Sequence, residues 1–274
     1  MIPTRPRGAI ATGYRECARF RAQPRLGRWV LPSEATITMR LKESHRTTIR
    51  MWQYAAVHDA CGDVLVHVEA GRFLRILLAD AMGHGPAAAS VAREFASAVG
   101  AGLHTPIQSS TFERWNDFVL DRFGGETLVA VTVLEIDRSS RTVRIWNAGN
   151  PGALLLRAGA GAVNLLRNYG QVLGAFGMPF YEPPCPIEVR LDDGDMLMVF
   201  SDGLTDQPMN EARIGDQGVA EFVSRTAGAG LDPLSAIQDL VTALRQAGGE
   251  MDDLSILQVA SAQTTRTLPA RHAA

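Results

Sequence analysis

The chain reads Leu74-Arg75-Ile76-Leu77-Leu78-Ala79-Asp80-Ala81-Met82-Gly83-His84-Gly85-Pro86 at the point that decides its fold. The apolar run over 74–79 is typical of a buried strand, and it ends at the carboxylate of Asp80. Pro86 suits the first position of a helix, where its missing N–H costs nothing, so we predict a helix over 87–101. Two glycines in the intervening turn let other groups approach the backbone closely. Asp80 is therefore placed either to hold a cation or to cap the turn.

The composition is that of a globular protein, and it argues against nucleic-acid-binding, disulfide-rich and membrane-spanning proteins. The 274 residues are 46% hydrophobic and 20% charged, with a net charge of −2, so nothing in the overall charge points to nucleic acid. The cysteines Cys17, Cys61 and Cys185 are odd in number and widely spaced. They fit neither a disulfide framework nor a zinc site, and they favour a reducing, cytoplasmic compartment. No apolar run reaches the roughly 18 residues of a membrane span.

Charge is distributed unevenly and divides the chain. The first 50 residues carry 11 basic and 3 acidic groups, a net charge of +8, whereas the remainder carries −10. We predict a basic arm over 1–32, either flexible or loosely docked, because prolines alternate there with arginines and apolar periodicity is weak. After the arm we predict a single domain over 33–262 and a short C-terminal tail over 263–274. The arm is too short for a folded sensor domain, so regulation is expected from a separate protein or from the arm itself.

The pattern along the predicted domain mixes strands with two pairs of helices. Residues 35–41 alternate polar and apolar, which is period two, while helix 233–246 has Asp232 as its N-cap and Pro233 at its first position. A loop rich in Gly and Pro is expected over 168–186. The other predicted strands are 51–58, 64–68, 73–79, 126–136, 142–147, 153–157, 195–200 and 254–259, and the other predicted helices are 110–123 and 218–225.

Carboxylates recur at the ends of these strands. Asp63, Asp80, Asp202 and the pair Asp252 and Asp253 all lie where a predicted strand begins or ends. Clustered carboxylates repel one another unless cations neutralise them. Oxygen ligands without His or Cys partners favour Mg²⁺ or Mn²⁺ over zinc. Each aspartate alone could equally be a turn former, since Asp is common in turns.

Four motifs occur in a specific order and carry a resemblance to a known family. They are Asp80-Ala81-Met82-Gly83-His84-Gly85, Asn147-Ala148-Gly149-Asn150-Pro151, Phe200-Ser201-Asp202-Gly203-Leu204-Thr205-Asp206 and Asp252-Asp253-Leu254-Ser255. Their order and intervals resemble those of the SpoIIE-like branch of the PPM (type 2C) metal-dependent Ser/Thr protein phosphatases, over residues 35–260. The resemblance implies an α+β fold, a four-layer αββα sandwich in which helices flank two packed antiparallel sheets.

The resemblance also implies a site for two Mn²⁺ or Mg²⁺ ions. Asp80 would bridge the two ions, helped by the backbone carbonyl of Ala81. Asp202 and Asp252 would hold the first ion, which leaves Asp253 as a neighbour of the ligand. Asp63 would serve the second ion directly or through water. A water molecule activated by the ions would then attack the phosphorus, so no protein nucleophile is required.

Other positions leave alternatives open or depart from the family pattern. His84 could donate a proton to the leaving oxygen, or it could pack in the turn. Cys61 replaces one of two paired glycines, and Val66 stands where a second carboxylate is usual. Asn150 stands where the branch commonly has a histidine.

The function implied is that of a cytoplasmic bacterial phosphoserine/phosphothreonine protein phosphatase. Its substrate would be a signalling phosphoprotein, such as an STAS-domain anti-sigma-factor antagonist in a partner-switching pathway. One alternative is a catalytically weak phosphatase-fold module that binds a signalling partner. Another is a nucleotide or small-molecule phosphohydrolase, which shares the chemistry but for which the chain has no visible base-recognition motif.

Overall fold

The structure is a computed structural model that describes residues 28–30, 35–40, 45–56, 60–159, 163–168, 170–209, 212–246 and 251–263. Most of the predicted arm and nearly all of the predicted tail therefore lie outside the described residues. The strands are β1 (Arg28–Val30), β2 (Ala35–Arg40), β3 (His45–Tyr54), β4 (Asp63–Ala70), β5 (Phe73–Ala81), β6 (Val129–Asp137), β7 (Thr142–Ala148), β8 (Ala153–Leu156), β9 (Val163–Leu166), β10 (Ile187–Arg190), β11 (Met196–Phe200), β12 (Pro208–Met209), β13 (Ala212–Arg213) and β14 (Leu254–Gln263). The α-helices are α1 (Gly85–Val99), α2 (Ser109–Phe123), α3 (Gly215–Gly228) and α4 (Pro233–Gln246).

The first sheet has the strand order β1-β4-β5-β6-β7-β10, with every neighbouring pair antiparallel. The apolar run of β5 lies at its centre, paired along its length with β4 and β6. Helices α1 and α2 cover the outer face, where Phe95, Phe112 and Trp115 are buried against the valines of β4 and β6. The aromatic positions of α2 are thus core residues, as their helical spacing indicates.

The second sheet has the strand order β2-β3-β14-β11-β8-β9 and is also antiparallel throughout. Its outer face is covered by α3 and α4, whose Val223, Ile237 and Val241 pack against Phe200 and Ile256. The long β3–β14 pair runs from Leu254 opposite Tyr54 to Gln263 opposite His45. This pairing places β3, from the early part of the chain, beside the last described strand.

The inner faces of the two sheets pack on each other. Leu65 and Leu78 from the first sheet share one buried cluster with Met51, Val199 and Leu257 from the second. Helices, sheet, sheet and helices therefore form four layers, and the predicted αββα sandwich is confirmed.

Local sequence signals explain where two of the helices begin. Gly83 and Gly85 have positive φ values of 90° and 79°, which glycine adopts without strain, and α1 starts directly at this turn with Pro86 in its first positions. The Asp232 carboxylate accepts a hydrogen bond from the Ser235 N–H at 3.0 Å at the start of α4. The predicted N-cap of that helix is thus confirmed.

Other elements differ from the predictions because tertiary pairing overrides local pattern. Arg28–Val30, the described end of the predicted arm, is strand β1 and pairs with β4. Strand β3 begins at His45 rather than at 51, while 57 and 58 at the predicted end lie outside the described residues. The predicted loop is tied to the first sheet, since Leu173 forms an isolated bridge to Val129.

The described helices have no more than 15 residues each. None of them is both long enough and apolar enough to cross a membrane.

The pairing of β1 yields a prediction about truncation. A chain lacking 1–27 keeps β1, whereas a chain lacking 1–32 exposes the edge of β4 and loses the hydrogen bonds of that pair. At about 1 kcal/mol per hydrogen bond, the longer deletion should lower the free energy of unfolding by a further ~1–3 kcal/mol. Urea denaturation of the two truncated proteins measures the difference, and equal stabilities would show that β1 does not contribute.

Candidate metal centre and active site

The apolar space between the two sheets becomes polar at one end. Leu65 on β4 and Leu78 on β5 are buried between the sheets, and Asp63 and Asp80 lie two residues further along the same faces. Because side chains alternate along a strand, both carboxylates point into the same space. The register places Asp63 directly opposite Asp80. The first sheet thus brings together two of the predicted site residues.

The second sheet adds a polar layer at the same end. Gln53, Ser201 and Ser255 each lie two residues beyond a buried core residue of the inner face, and all three are buried. The Ser201 hydroxyl donates a hydrogen bond to Asp63 Oδ2 at 2.6 Å. The Gln53 amide donates to Ser255 Oγ at 2.8 Å. A hydrogen bond between side chains therefore joins the two sheets at the site.

Asp253 holds the backbone that precedes β4. Its two carboxylate oxygens accept hydrogen bonds from the Ala56 N–H at 2.7 Å and the Gly62 N–H at 2.6 Å. Asp253 is 3% exposed. Its neighbour Asp252 is half-buried and accepts a bond from the Asp253 N–H at 2.8 Å. The Asp253 carboxylate is thus committed to backbone donors.

A close backbone approach brings Asp202 and Asp252 to the same place. A Cβ on Gly203 would lie 2.0 Å from the carbonyl oxygen of Asp253, so the two chain segments meet where only glycine fits. Asp202 immediately precedes this glycine, and Asp252 immediately precedes Asp253. The charges of both Asp202 and Asp252 act on Asp80. All four predicted metal carboxylates therefore converge on one end of the inter-sheet space.

The electrostatics of this end are unfavourable for a bare cluster of carboxylates. Burial raises the pKa of Asp80 to about 10, and the neighbouring carboxylates act in the same direction. Burial also raises the pKa of Asp63 to about 7, against the side chains of Ser201 and Ser255, whose hydroxyl groups lower it. The pKa of Asp202 is raised as well, first by burial and then by nearby carboxylates. A cation at this end would relieve the repulsion.

The oxygen atoms that could act as metal ligands at this end suit a hard divalent cation. Asp63 Oδ1 is buried and has no hydrogen-bond partner, and such an unpaired acceptor is costly. The side chains at this end offer oxygen ligands, which suit Mg²⁺ or Mn²⁺. Within the part of the chain that the structure describes, no group of three His, Cys, Asp or Glu side chains is already arranged to hold a metal ion. The carboxylates therefore lie near one another but do not surround a common point.

Ala81 and His84 lie in the turn that follows Asp80. Ala81 is buried at the end of β5, and its N–H donates to the carbonyl oxygen of Gly62 at 3.1 Å. The His84 side chain is exposed at the start of α1 and makes no capping hydrogen bond. Burial raises the pKa of Asp253, and the nearby His84 opposes this effect. His84 thus faces solvent near the carboxylates instead of packing in the turn.

The positions that depart from the family pattern have structural roles here. Val66 is buried in the core beneath α1 and α2, so position 66 supplies no oxygen ligand. The thiol of Cys61 donates to the Tyr54 carbonyl at 3.6 Å, and burial raises its pKa far above the usual range. The side-chain amide of Asn150 donates to Thr132 Oγ1 at 3.1 Å, which fixes the turn next to β6.

Sequence reasoning missed Ser201, Ser255, Gln53 and the anchoring role of Asp253. Ser201 and Ser255 stand in two of the four motifs and Asp253 stands beside a predicted ligand, but their residue types alone do not identify these roles. The signal that could have found them is the two-residue alternation of β3, β11 and β14, extended one step beyond the apolar core.

A protein-family model described as Stage II sporulation protein E (SpoIIE) matches residues 70–261. The chain belongs to the SpoIIE family. The matched region contains Asp80, Asp202 and Asp252 and begins after Asp63. A search of the curated proteins found no match.

Solved structures similar to this SpoIIE-family chain are PP2C-type phosphatase domains. The RsbU and RsbW domains of Rv1364c from Mycobacterium tuberculosis share 21% identity, with a TM-score of 0.65 over 86% of this chain and 62% of that one. The SiaA-PP2C domain of Pseudomonas aeruginosa shares 18%, with a TM-score of 0.62 over 77% of this chain and 85% of that one. The SpoIIE phosphatase domain of Bacillus subtilis, solved with a fragment of its regulatory domain, shares 17%, with a TM-score of 0.65 over 85% of this chain and 71% of that one. At these identities the likeness establishes the fold.

The two neighbouring aspartates of this SpoIIE-family chain should differ in their effect on stability. Asp253→Ala leaves the half-buried N–H of Ala56 and the buried N–H of Gly62 without a charged acceptor, so the free energy of unfolding in EDTA should fall by ~2–4 kcal/mol. Asp252→Ala removes a like charge from the cluster and should leave that free energy unchanged or higher. Urea denaturation of the metal-free proteins measures both values, and equal losses would contradict the assignment of roles.

The raised carboxylate pKa values predict a pH dependence of stability. In the unfolded chain Asp63 and Asp80 titrate near pH 4, whereas folding raises their pKa values to about 7 and about 10. The folded protein therefore binds more protons above pH 4, and its free energy of unfolding falls as pH rises. In EDTA the Tm should drop steadily from pH 5.5 to pH 8.5, and Asp80→Asn should flatten the drop. A Tm that stays constant or rises over this range would contradict the description of the cluster.

Proposed function

We propose that this SpoIIE-family chain is a metal-dependent phosphatase acting on phosphoserine and phosphothreonine side chains of proteins. The observation that carries the proposal is the convergence of four aspartates from two sheets. Asp63 and Asp80 stand opposite each other in the first sheet, and the Gly203 contact draws Asp202 and Asp252 towards them. Oxygen donors at the ends of rigid strands suit a site that must hold cations and a phosphate in fixed relation.

Within this proposal the residues divide the work of holding two Mn²⁺ or Mg²⁺ ions. Asp80 and the carbonyl of Ala81 would hold both ions, Asp202 and Asp252 would hold the first, and Asp63 would hold the second. The chemistry that such ions supply when bound is activation of a water molecule for attack on phosphorus, with neutralisation of the phosphoryl oxygens.

The residues of the turn supply the remaining functions. His84 is exposed near the carboxylates and is the group that we assign as proton donor to the leaving serine or threonine oxygen. A Cβ on Gly83 would meet nothing within 4 Å, so the turn that follows Asp80 is open to solvent at this residue. The exposed position of His84 supports a substrate that arrives from solvent as part of a protein.

A second candidate is a catalytically weak module that binds a signalling phosphoprotein. Two observations favour it: Val66 is buried away from the site, and no ligand group is already arranged among the described residues. Against it stands the presence of all four carboxylates expected from the family. Manganese-dependent hydrolysis of p-nitrophenyl phosphate separates the two candidates.

The substrate that we propose is a signalling phosphoprotein such as an STAS-domain anti-sigma-factor antagonist. The similar chains include an RsbU–RsbW pair of domains and the cell fate determinant SpoIIE, which supports a partner-switching role with a separate regulatory protein. This chain spans 62% of the RsbU–RsbW chain. The free thiols Cys61 and Cys185 support a reducing, cytoplasmic setting.

The domain organisation that we propose follows the fold. The phosphatase domain includes β1 and so begins by residue 28, and the basic residues before it form an arm. Residues 1–27 carry six basic groups and one acidic group, a net charge of +5, and we assign to this arm the recruitment of an acidic protein partner.

Metal dependence is the direct test of the proposed function. Hydrolysis of p-nitrophenyl phosphate should require Mn²⁺ or Mg²⁺ and vanish in EDTA. Asp80→Asn and Asp202→Asn should each lower kcat by at least ~100-fold, since even residues that only orient ligands cost up to that much. Asp192→Asn, at an exposed ion pair with Arg190, is the matched control and should keep full activity. Full activity in either site variant, or activity in EDTA, would overturn the proposal.

A further inference from the structure

The carboxylate of Asp63 is held at one oxygen and free at the other. Its Oδ2 accepts the hydrogen bond from the Ser201 hydroxyl at 2.6 Å, while its Oδ1 is buried with no partner. Asp63 is 4% exposed and Ser201 is fully buried. Water therefore does not have ready access to either group, and the direction of the carboxylate is set by protein contacts.

Ser201 is itself fixed by the backbone of the second sheet. The Ser255 N–H donates to Ser201 Oγ at 2.9 Å, and the Ser201 N–H donates to the Ser255 carbonyl at 3.0 Å. These bonds extend the pairing of β11 and β14 one step beyond Phe200 and Ile256. Because one side of Oγ is occupied by a backbone donor, the hydroxyl hydrogen is directed to Asp63.

We propose that Ser201 is a positioning residue that occupies Asp63 Oδ2 and presents Oδ1 as the ligand atom for the second divalent cation. The inference rests on the proposed function. It explains why a buried carboxylate oxygen lacks a hydrogen-bond donor in an otherwise well-bonded region. In this proposal a residue of the second sheet, Ser201, orients a metal ligand, Asp63, that lies on the first sheet.

The position of Val66 makes this role more important. Val66 is packed against the helices, so β4 presents Asp63 to the site without help from position 66. A single carboxylate with freedom to rotate would be a poorer ligand than one whose orientation is fixed. The bond from Ser201 removes that freedom.

The alternative is that the Ser201 bond only ties the two sheets together. Such a role would affect stability and leave cation affinity unchanged. Metal affinity and metal-free stability must therefore be measured separately on the same variants.

The experiment uses the full chain, stripped of metal with EDTA and titrated with Mn²⁺ in a calorimeter. Ser201→Ala should weaken the binding of one Mn²⁺ by about 10- to 100-fold. The matched control is Ser261→Ala, which removes an equally buried hydroxyl that has no hydrogen-bond partner, at the opposite end of β14. The control should bind Mn²⁺ as the unmodified protein does. Should Ser201→Ala not fold, Ser201→Cys keeps the volume with a weaker donor and should still show weakened binding.

A double-mutant cycle separates action through Asp63 from a general effect on the fold. In the Asp63→Asn background, Ser201→Ala should cause no further loss of Mn²⁺ affinity. A full and independent loss in that background, or wild-type affinity in the single variant, overturns the inference and leaves the proposed function standing. If the unmodified chain neither binds Mn²⁺ nor hydrolyses p-nitrophenyl phosphate, the proposed function is wrong and the inference is overturned with it.

Discussion

The site depends on the alternation of side chains along strands that belong to two sheets packed face to face. Strands β3, β5, β11 and β14 carry the apolar residues of the inner core at a spacing of two, and β4 contributes Leu65, so the next inward position is determined by geometry. At one end that position is Asp63 and Asp80 in the first sheet and Ser201 and Ser255 in the second. The face-to-face packing that excludes water from the core therefore also brings these polar side chains together at one end of the inter-sheet space.

This arrangement opposes stability. Carboxylates that lie together beside an apolar core lose hydration and repel one another. Both effects raise the pKa of Asp80. The fold offsets part of this cost with fixed donors: the N–H groups of Ala56 and Gly62 on Asp253, and the Ser201 hydroxyl, with Ser255 beside it, on Asp63. The charge that remains unpaired is the charge that a cation would neutralise. Functional sites commonly depart from optimal local stability in this way.

The parts of the structure that could be predicted are those with local signals. Asp80, the start of α1 and the cap of α4 follow from proline, glycine and aspartate at defined offsets. Strand β1 could not be predicted because three residues carry no period, and its pairing with β4 depends on distant sequence. The anchoring contacts of Asp253 could not be predicted either, although the family resemblance already distinguishes Asp253 from the ligand Asp252. They depend on which carboxylate meets the N–H groups of Ala56 and Gly62, and only tertiary structure decides that.

The departure at Val66 and the hydrogen bond from Ser201 are connected by the same geometry. Val66 points to the helices, because it lies an odd number of residues from Asp63 on a strand whose alternate positions face the other sheet. A carboxylate at that position could reach the site only if β4 were locally distorted. With regular pairing between β4 and β5, a second oxygen from β4 is not available, and orientation of Asp63 must come from across the inter-sheet space. Because β4 pairs regularly with β5, the hydrogen bond that orients Asp63 comes from Ser201 of the second sheet.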